Sequence, residues 1–278
     1  MDAYKHVNNT AYLRYIEQAR IEMFAVGTAD TDGFRWAPDR IVIAALDIDY
    51  RRPLTFRPEP IQVVSSVTRV GRSSFDLSQR IVDGDTVHAE ATATIVAVGG
   101  AFGRSRPLED VERAWLDAHA GPAPQRRRPA VPTAAGPVPP RHEIALDRRW
   151  ADLDVNGHLN NVVYAIYLQE ARAHLFALHD ADGRAPLVRG LVVVRMHIDW
   201  LRPLAYRPEP LRAHTWFSAV AGATVTVHCE LYDGGDLACR GVTTLALFDF
   251  EADRPRRITP DERAELERYL VRTEQAGA

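Results

Sequence analysis

Apolar residues recur at helical spacing over two stretches of the chain. In the first, Tyr12, Tyr15, Ile16, Ala19 and Met23 share one face, while Arg14, Glu17 and Gln18 share another. This is the pattern of an amphipathic helix running to Phe24. In the second, Tyr164, Tyr167, Leu168, Ala171 and Leu175 repeat the stripe and predict a helix over 162–176. Four strand-like runs follow the first helix, at 40–51, 61–70, 74–83 and 86–98. Asp83-Gly84-Asp85, between the last two, is a tight hairpin signal. The Arg-Pro-Glu-Pro segments at 57–60 and 207–210 belong to turns, because proline cannot donate to a sheet ladder. A short helix is expected at 108–118, matched by another at 260–270.

The two halves are copies of one plan. Aligning Asp154 with Asp2 gives an offset of 152 (154 − 2), at which Tyr12, Tyr15, Ala19, Arg20 and Phe24 recur as Tyr164, Tyr167, Ala171, Arg172 and Phe176. After the helix the offset falls to 150 (199 − 49). Asp49, Arg52-Pro53-Leu54 and Asp83-Gly84 then recur as Asp199, Arg202-Pro203-Leu204 and Asp233-Gly234, and Arg113 recurs as Arg263. Matches this dense over most of each half indicate two related domains in tandem. We place the first at 1–120 and the second at 141–278. The Pro-, Ala- and Arg-rich segment 121–140 between them reads as an extended, solvated linker. Arg126-Arg127-Arg128 inside it is read as part of that solvated stretch. The second half carries an extra strand-like run at 141–150, before its motif. The first half has no counterpart, so its leading strand is expected to be missing, which is what a start codon downstream of the true one would produce.

Composition places the chain among soluble globular proteins, with 46% hydrophobic and 26% charged residues. The net charge of -3 gives no broad cationic face for nucleic acid or membrane. No run approaches the ~20 apolar residues a membrane span needs. Two cysteines, Cys229 and Cys239, lie in strand-like segments. They read as reduced core thiols of a cytoplasmic protein rather than a disulfide. No glycine-rich phosphate loop, Gly-x-Ser-x-Gly elbow or His/Cys cluster at metal spacing occurs, so neither a metal nor an organic cofactor is expected.

The chemistry is concentrated in a repeated octad just before each helix. The first copy is Asp2-Ala3-Tyr4-Lys5-His6-Val7-Asn8-Asn9 and the second is Asp154-Val155-Asn156-Gly157-His158-Leu159-Asn160-Asn161. Each sets a carboxylate four residues before an imidazole, and the Asn-Asn pair marks the helix start. With the tyrosine-bearing helix and the Arg-Pro turn that follows, this octad resembles the hotdog-fold thioesterases. The first copy is similar to single-domain acyl-CoA thioesterases. The second is similar to the Asp-x-Asn-x-His motif of the plant acyl-ACP thioesterases, themselves double hotdogs. The resemblance implies an α+β fold of two tandem hotdog domains. In each, a long central helix is wrapped by an antiparallel sheet, and the two pair as a pseudo-dimer. It implies thioester hydrolysis at the seam. The substrate is an acyl-CoA, with an acyl-carrier protein as the alternative carrier, and a homodimer of the tandem chain is left open.

Hydrolysis of a thioester needs a carboxylate that attacks directly or activates water, and donors for the developing oxyanion. By the resemblance, Asp154 and Asp2 are the acting carboxylates. Asn161 and Asn9 supply backbone N–H groups to the oxyanion at the positive end of a helix. His158 and His6 orient the carboxylate or water, or simply tie the loop to a nearby carbonyl. Asn156 holds substrate or water, and Tyr4, at the same place in the first copy, offers no amide. The asparagine side chains are expected to cap the helices. Asp152 is read as a turn residue, and Glu17 and Glu170 as neighbours of Arg20 and Arg172. The additional catalytic glutamate of the acyl-ACP enzymes has no evident match. Two other readings are an enoyl-CoA hydratase-like hotdog enzyme, from whose Asp-x-Asn-Pro-x-His pattern Gly157-His158 departs, and a non-catalytic acyl-binding module.

Overall fold

The computed structural model describes residues 6–25, 33–99, 103–122, 142–154, 157–181, 190–267 and 270–271. Its contacts divide the chain into two compact units, Met1–Arg128 and Pro129–Ala278. Most of the expected linker, with Arg126 to Arg128, lies outside the described residues, as do Gly27 and Asp30 in the loop after the first helix.

The first unit opens with α1 (Asn9–Ala25), followed by β1 (Ile41–Tyr50), β2 (Gln62–Val70), β3 (Ser74–Asp83), β4 (Thr86–Ala97) and α2 (Asp110–Ala118). The strands form an antiparallel sheet in the order β2-β3-β4-β1. Gly84 takes φ +54° in the two-residue turn between β3 and β4, a left-handed conformation that favours glycine. Helix α1 packs on β2 and β3. Its buried stripe is Tyr12, Leu13, Ile16, Arg20 and Phe24, so the expected face is rotated. Leu13 and Arg20 point inward and Tyr15 is 37% exposed. Strands β3 and β4 alternate buried and half-exposed residues, as a sheet with one face on a core must. An aromatic group of Phe24, Trp36, Phe75 and Trp115 fills the far end of the core, with ring centroids 5.4–6.1 Å apart.

The second unit adds a strand at its front. It runs β5 (His142–Leu146), α3 (Asn161–Ala181), β6 (Leu191–Trp200), β7 (Leu211–Val220), β8 (Thr224–Asp233), β9 (Asp236–Asp249), β10 (Arg254–Pro255) and α4 (Pro260–Glu267). The sheet order is β6-β9-β8-β7-β5, with β10 on β9. Strand β5 is the extra run expected from sequence, shortened to five residues. No strand among the described residues of the first unit corresponds to it. Helix α3 packs on β5, β7, β8 and β9, over a core of Leu175, Phe217, Val225, Val227, Leu245, Leu247 and Leu266. Its stripe of Tyr164, Tyr167, Leu168, Ala171 and Leu175 is buried, as read from sequence. Cys229 and Cys239 are buried free thiols, and burial pushes the Cys229 thiol up to about 12.

Each unit closes with the same latch. In the first, Arg106 reaches Glu112 with both terminal nitrogens, at 2.8 and 2.5 Å, and Arg113 donates to the Gly71 and Arg72 carbonyls at the β2–β3 turn. In the second, Arg256 holds Glu262 at 2.8 and 2.6 Å, and Arg263 donates to the Val220 and Ala221 carbonyls. Burial raises the Glu112 carboxyl, but Arg106 and the Glu109 amide outweigh it, so the net shift is downward. Arg256 is the main cause of the downward shift at Glu262. A carboxylate held low in the folded state contributes fully above its unfolded pKa, and that contribution fades as pH falls through the folded value. Stability measured by urea titration should therefore drop on acidification below about pH 4.5. Glu112→Gln replaces a charge-assisted pair by a neutral one while Arg106 keeps the Val98 and Pro107 carbonyls and Glu109; it should cost about 2 kcal/mol at neutral pH and flatten that acid-side slope.

Candidate active site

The octad of the second unit folds into a closed turn seated on the start of α3. The Asp154 N–H donates to the His158 carbonyl at 2.7 Å, and the Gly157 N–H donates to the Asp154 carbonyl at 3.0 Å. The His158 N–H donates to Asp154 Oδ1 at 3.2 Å. One carboxylate oxygen therefore secures the turn and fixes the rotamer of the acid. Gly157 stands at φ +75° with open space where a Cβ would be, so its requirement is for the left-handed backbone and not for room. Leu153 bridges Leu159, and the Asn160 N–H donates to the Asp152 carbonyl at 2.9 Å.

The helix start is capped as its sequence predicts. Asn160 Oδ1 accepts from the Val162 N–H at 2.8 Å. In the first unit Asn8 Oδ1 accepts from the Thr10 N–H and hydroxyl, both at 2.9 Å. Asn161 and Asn9 are the first residues of α3 and α1. Their amides belong to the group that has no partner in a helical ladder, at the end where the dipole favours negative charge.

A second segment clamps the octad from outside. In the second unit the Leu159 N–H donates to the Leu204 carbonyl at 2.7 Å, and His158 bridges Ala205. The Tyr164 hydroxyl accepts from the Leu204 N–H at 3.0 Å and donates to the Arg202 carbonyl at 3.3 Å. The first unit repeats every contact. Val7 N–H donates to the Leu54 carbonyl at 2.7 Å, His6 bridges Thr55, and Tyr12 takes the Leu54 N–H at 2.7 Å and faces the Arg52 carbonyl at 3.5 Å. Burial, the leading cause, pushes the Tyr164 hydroxyl well above its ordinary range, so it stays protonated. The recurrence of Tyr12/Tyr164 with Arg-Pro-Leu carries this signal in the sequence, whereas helical spacing alone places the tyrosines only on the apolar face.

Asp152 is more than a turn residue. It is buried, and its Oδ2 accepts from the Tyr167 hydroxyl at 2.7 Å and from Arg149 Nε at 3.1 Å. Its carbonyl holds Asn160, the residue before Asn161. Arg148 braces the same segment from behind. It donates to Asp233 Oδ1 at 2.7 Å and to the Ala205 and Glu209 carbonyls at 2.9 and 3.2 Å. Tyr15, at the repeat position of Tyr167, is exposed.

The structure thus brings Asp154, His158 and Asn161 onto one turn-and-helix start in the second unit, and His6 and Asn9 onto the equivalent start in the first. Asp2, Tyr4 and Asn156 lie outside the described residues. Burial lowers the Arg20 guanidinium to about 10, and Glu17 acts against that shift. Arg172 donates to Thr243 at 3.2 Å, and Glu170 is exposed. No group of three or more metal-ligating side chains occurs among the described residues.

Comparison with known proteins identifies the family and the fold. The family model of the thioesterase-like superfamily matches residues 1–116 and again 148–266, and the chain belongs to that superfamily. It is a thioester hydrolase built of two tandem hotdog units. It is 32% identical over 123 residues to the long-chain acyl-CoA thioesterase FadM of Escherichia coli, a match covering 42% of this chain and 89% of FadM. Its fold is similar to a structure from Lactobacillus plantarum described as an oleoyl thioesterase, with a TM-score of 0.71 and 15% identity over 90% of this chain and 92% of that one. It is also similar to the 12:0-ACP thioesterase of Umbellularia californica, with a TM-score of 0.65 and 17% identity over 92% and 93% of the two chains.

The clamp and the brace are separable by mutation. Tyr164→Phe leaves the buried Leu204 N–H without its acceptor and should cost about 1–3 kcal/mol by urea titration. Asp152→Ala leaves the buried Tyr167 hydroxyl without its carboxylate and should cost about 2 kcal/mol. Tyr15→Phe, at the exposed repeat position, should stay within about 0.5 kcal/mol of the parent.

Proposed function

We propose that the protein hydrolyses an acyl-CoA thioester to the free carboxylic acid and CoA, with Asp154 as general base or nucleophile. In the first case Asp154 removes a proton from water as the water oxygen bonds to the thioester carbon. In the second its carboxylate attacks that carbon, and water then cleaves the resulting anhydride. In both, the C–S bond breaks, the thiolate leaves and is protonated, and the carbonyl oxygen carries negative charge on the way. The Asn161 N–H, at the start of α3, is the donor we assign to that oxygen. His158 orients the carboxylate, and Asn156 holds substrate or water. Asp2, His6 and Asn9 are the corresponding groups of the first unit.

The observation that supports this reading best is the turn itself. It holds the Asp154 carboxylate by one oxygen to the backbone of His158, three residues before the first amide of a long helix. An acid fixed beside unpaired amides is the pairing that acyl transfer requires. The kinship with FadM favours CoA as the carrier of the acyl group.

Thiol release from a series of acyl-CoAs of graded length tests the assignment. Asp154→Asn should lower kcat by at least ~100-fold on the preferred chain, with the variant still folded. Turnover unchanged in an Asp154→Asn, Asp2→Asn double variant rejects these carboxylates. Loss of enoyl absorbance without thiol release identifies a hydratase, and neither signal identifies a binding module.

A further inference from the structure

Three large apolar side chains are exposed among the described residues of the second unit: Trp150, Leu201 and Tyr206, at 73%, 49% and 43%. All three lie on the two segments that hold the Asp154 turn. Trp150 opens the short 3-10 turn Trp150–Asp152, whose last residue is the buried brace. Leu201 and Tyr206 flank the stretch in which Leu204 bonds Leu159 and Ala205 bridges His158. The rings of Trp150 and Tyr206 meet edge to face, with centroids 5.5 Å apart and an interplanar angle of 75°. An edge-to-face pair leaves a ring face open to a flat partner.

The surroundings are basic. Arg149 and Arg207 are the immediate chain neighbours of the two rings, and both side chains are largely exposed. Arg149 bonds Asp152 through Nε. Arg207 stands 3.6 Å from Asp233, a carboxylate that Arg148 already holds at 2.7 Å. In both pairs the guanidinium is largely exposed while the carboxylate is covered, so the outer nitrogens of Arg149 and Arg207 can take a phosphate as a further partner. Flat aromatic surface beside guanidinium groups, next to an acyl-transfer turn, matches the chemistry of an adenine nucleotide.

We infer that Trp150 and Tyr206 form the landing surface for the adenine ring of a CoA thioester, with Arg149 and Arg207 facing its phosphates. This deepens the proposed function and rests on it for the identity of the reacting end. The pantetheine arm then runs from the rings toward Asp154, along the Arg202-to-Ala205 clamp. The first unit offers half of this surface. Phe56, at the repeat position of Tyr206, is 81% exposed and precedes Arg57.

The test compares a whole and a truncated carrier. Rates on an acyl-CoA and on the matching acyl-pantetheine are measured for the parent, Trp150→Ala, Tyr206→Ala and Trp150→Phe, with circular dichroism to verify folding. Loss of one stacked ring should reduce the preference for acyl-CoA over acyl-pantetheine, taken as the ratio of kcat/KM values, by about ten-fold. The loss should fall on KM, and Trp150→Phe should recover most of it. Equal losses on both substrates, or an unchanged preference in both alanine variants, overturn the inference. So does acyl-carrier-protein hydrolysis that depends on Trp150 more than acyl-CoA hydrolysis does. Binding of CoA and of pantetheine, followed by calorimetry, separates this from the hydrolytic reading. If no thioester is cleaved but CoA binds more tightly than pantetheine and Trp150→Ala removes the difference, the surface stands and the hydrolase assignment falls. If the parent binds CoA and pantetheine alike, the surface is overturned.

Discussion

One buried hydroxyl governs the geometry of each site. A polar backbone group removed from water has to find a partner, and Tyr164 serves two of them, the Leu204 amide and the Arg202 carbonyl. Leu204 in turn holds Leu159. The chain Tyr164–Leu204–Leu159 therefore joins the helix, the Arg-Pro-Leu segment and the octad into a single rigid piece. Proline at 203 suits this arrangement because it asks for no donor bond of its own. The first unit reproduces the device with Tyr12, Leu54 and Val7. Two independent copies of one arrangement, with distances that agree to a few tenths of an ångström, mark it as the scaffold on which the acid and the helix amides are mounted.

The second unit's octad is also held by the segment in front of it. In the second, Arg148, Arg149 and Asp152 bind the turn to α3, to the β8–β9 hairpin and to the Ala205 and Glu209 carbonyls. Tyr167 is buried as a consequence. In the first, Asp83 of the corresponding hairpin pairs with Arg57, as Asp233 does with Arg207, and Tyr15 faces solvent.

Much of this was legible in the sequence, for physical reasons that can be named. The hairpin came from Asp-Gly, the helix starts from Asn-Asn, and the strands from runs bounded by prolines. The tandem plan came from spacing alone, since a repeat of paired motifs reports on topology without any coordinates. Tyr15 was misplaced because helical periodicity ranks faces by hydrophobicity and cannot see which face a neighbour covers. Arg20 was inside for the same reason: its stem is apolar, and the pattern counts only its charge. Asp152 is undervalued because its partner Tyr167 lies fifteen residues on, in the second turn of the helix, where a reading that looks for caps and turns finds nothing. The Trp150–Tyr206 pair was invisible in principle, since it joins residues far apart in the chain that no periodicity relates.

The latch at the end of each unit has a consequence for how the chain comes apart. Arg106–Glu112 and Arg256–Glu262 are short-range in sequence and tie each terminal helix to the segment before it, while Arg113 and Arg263 fasten the helix to a hairpin of its own unit. What each contributes stays within that unit. Fraying of one terminal helix then exposes the amides of that helix to exchange while the other latch stays formed, and a single substitution sets which of the two helices exchanges first.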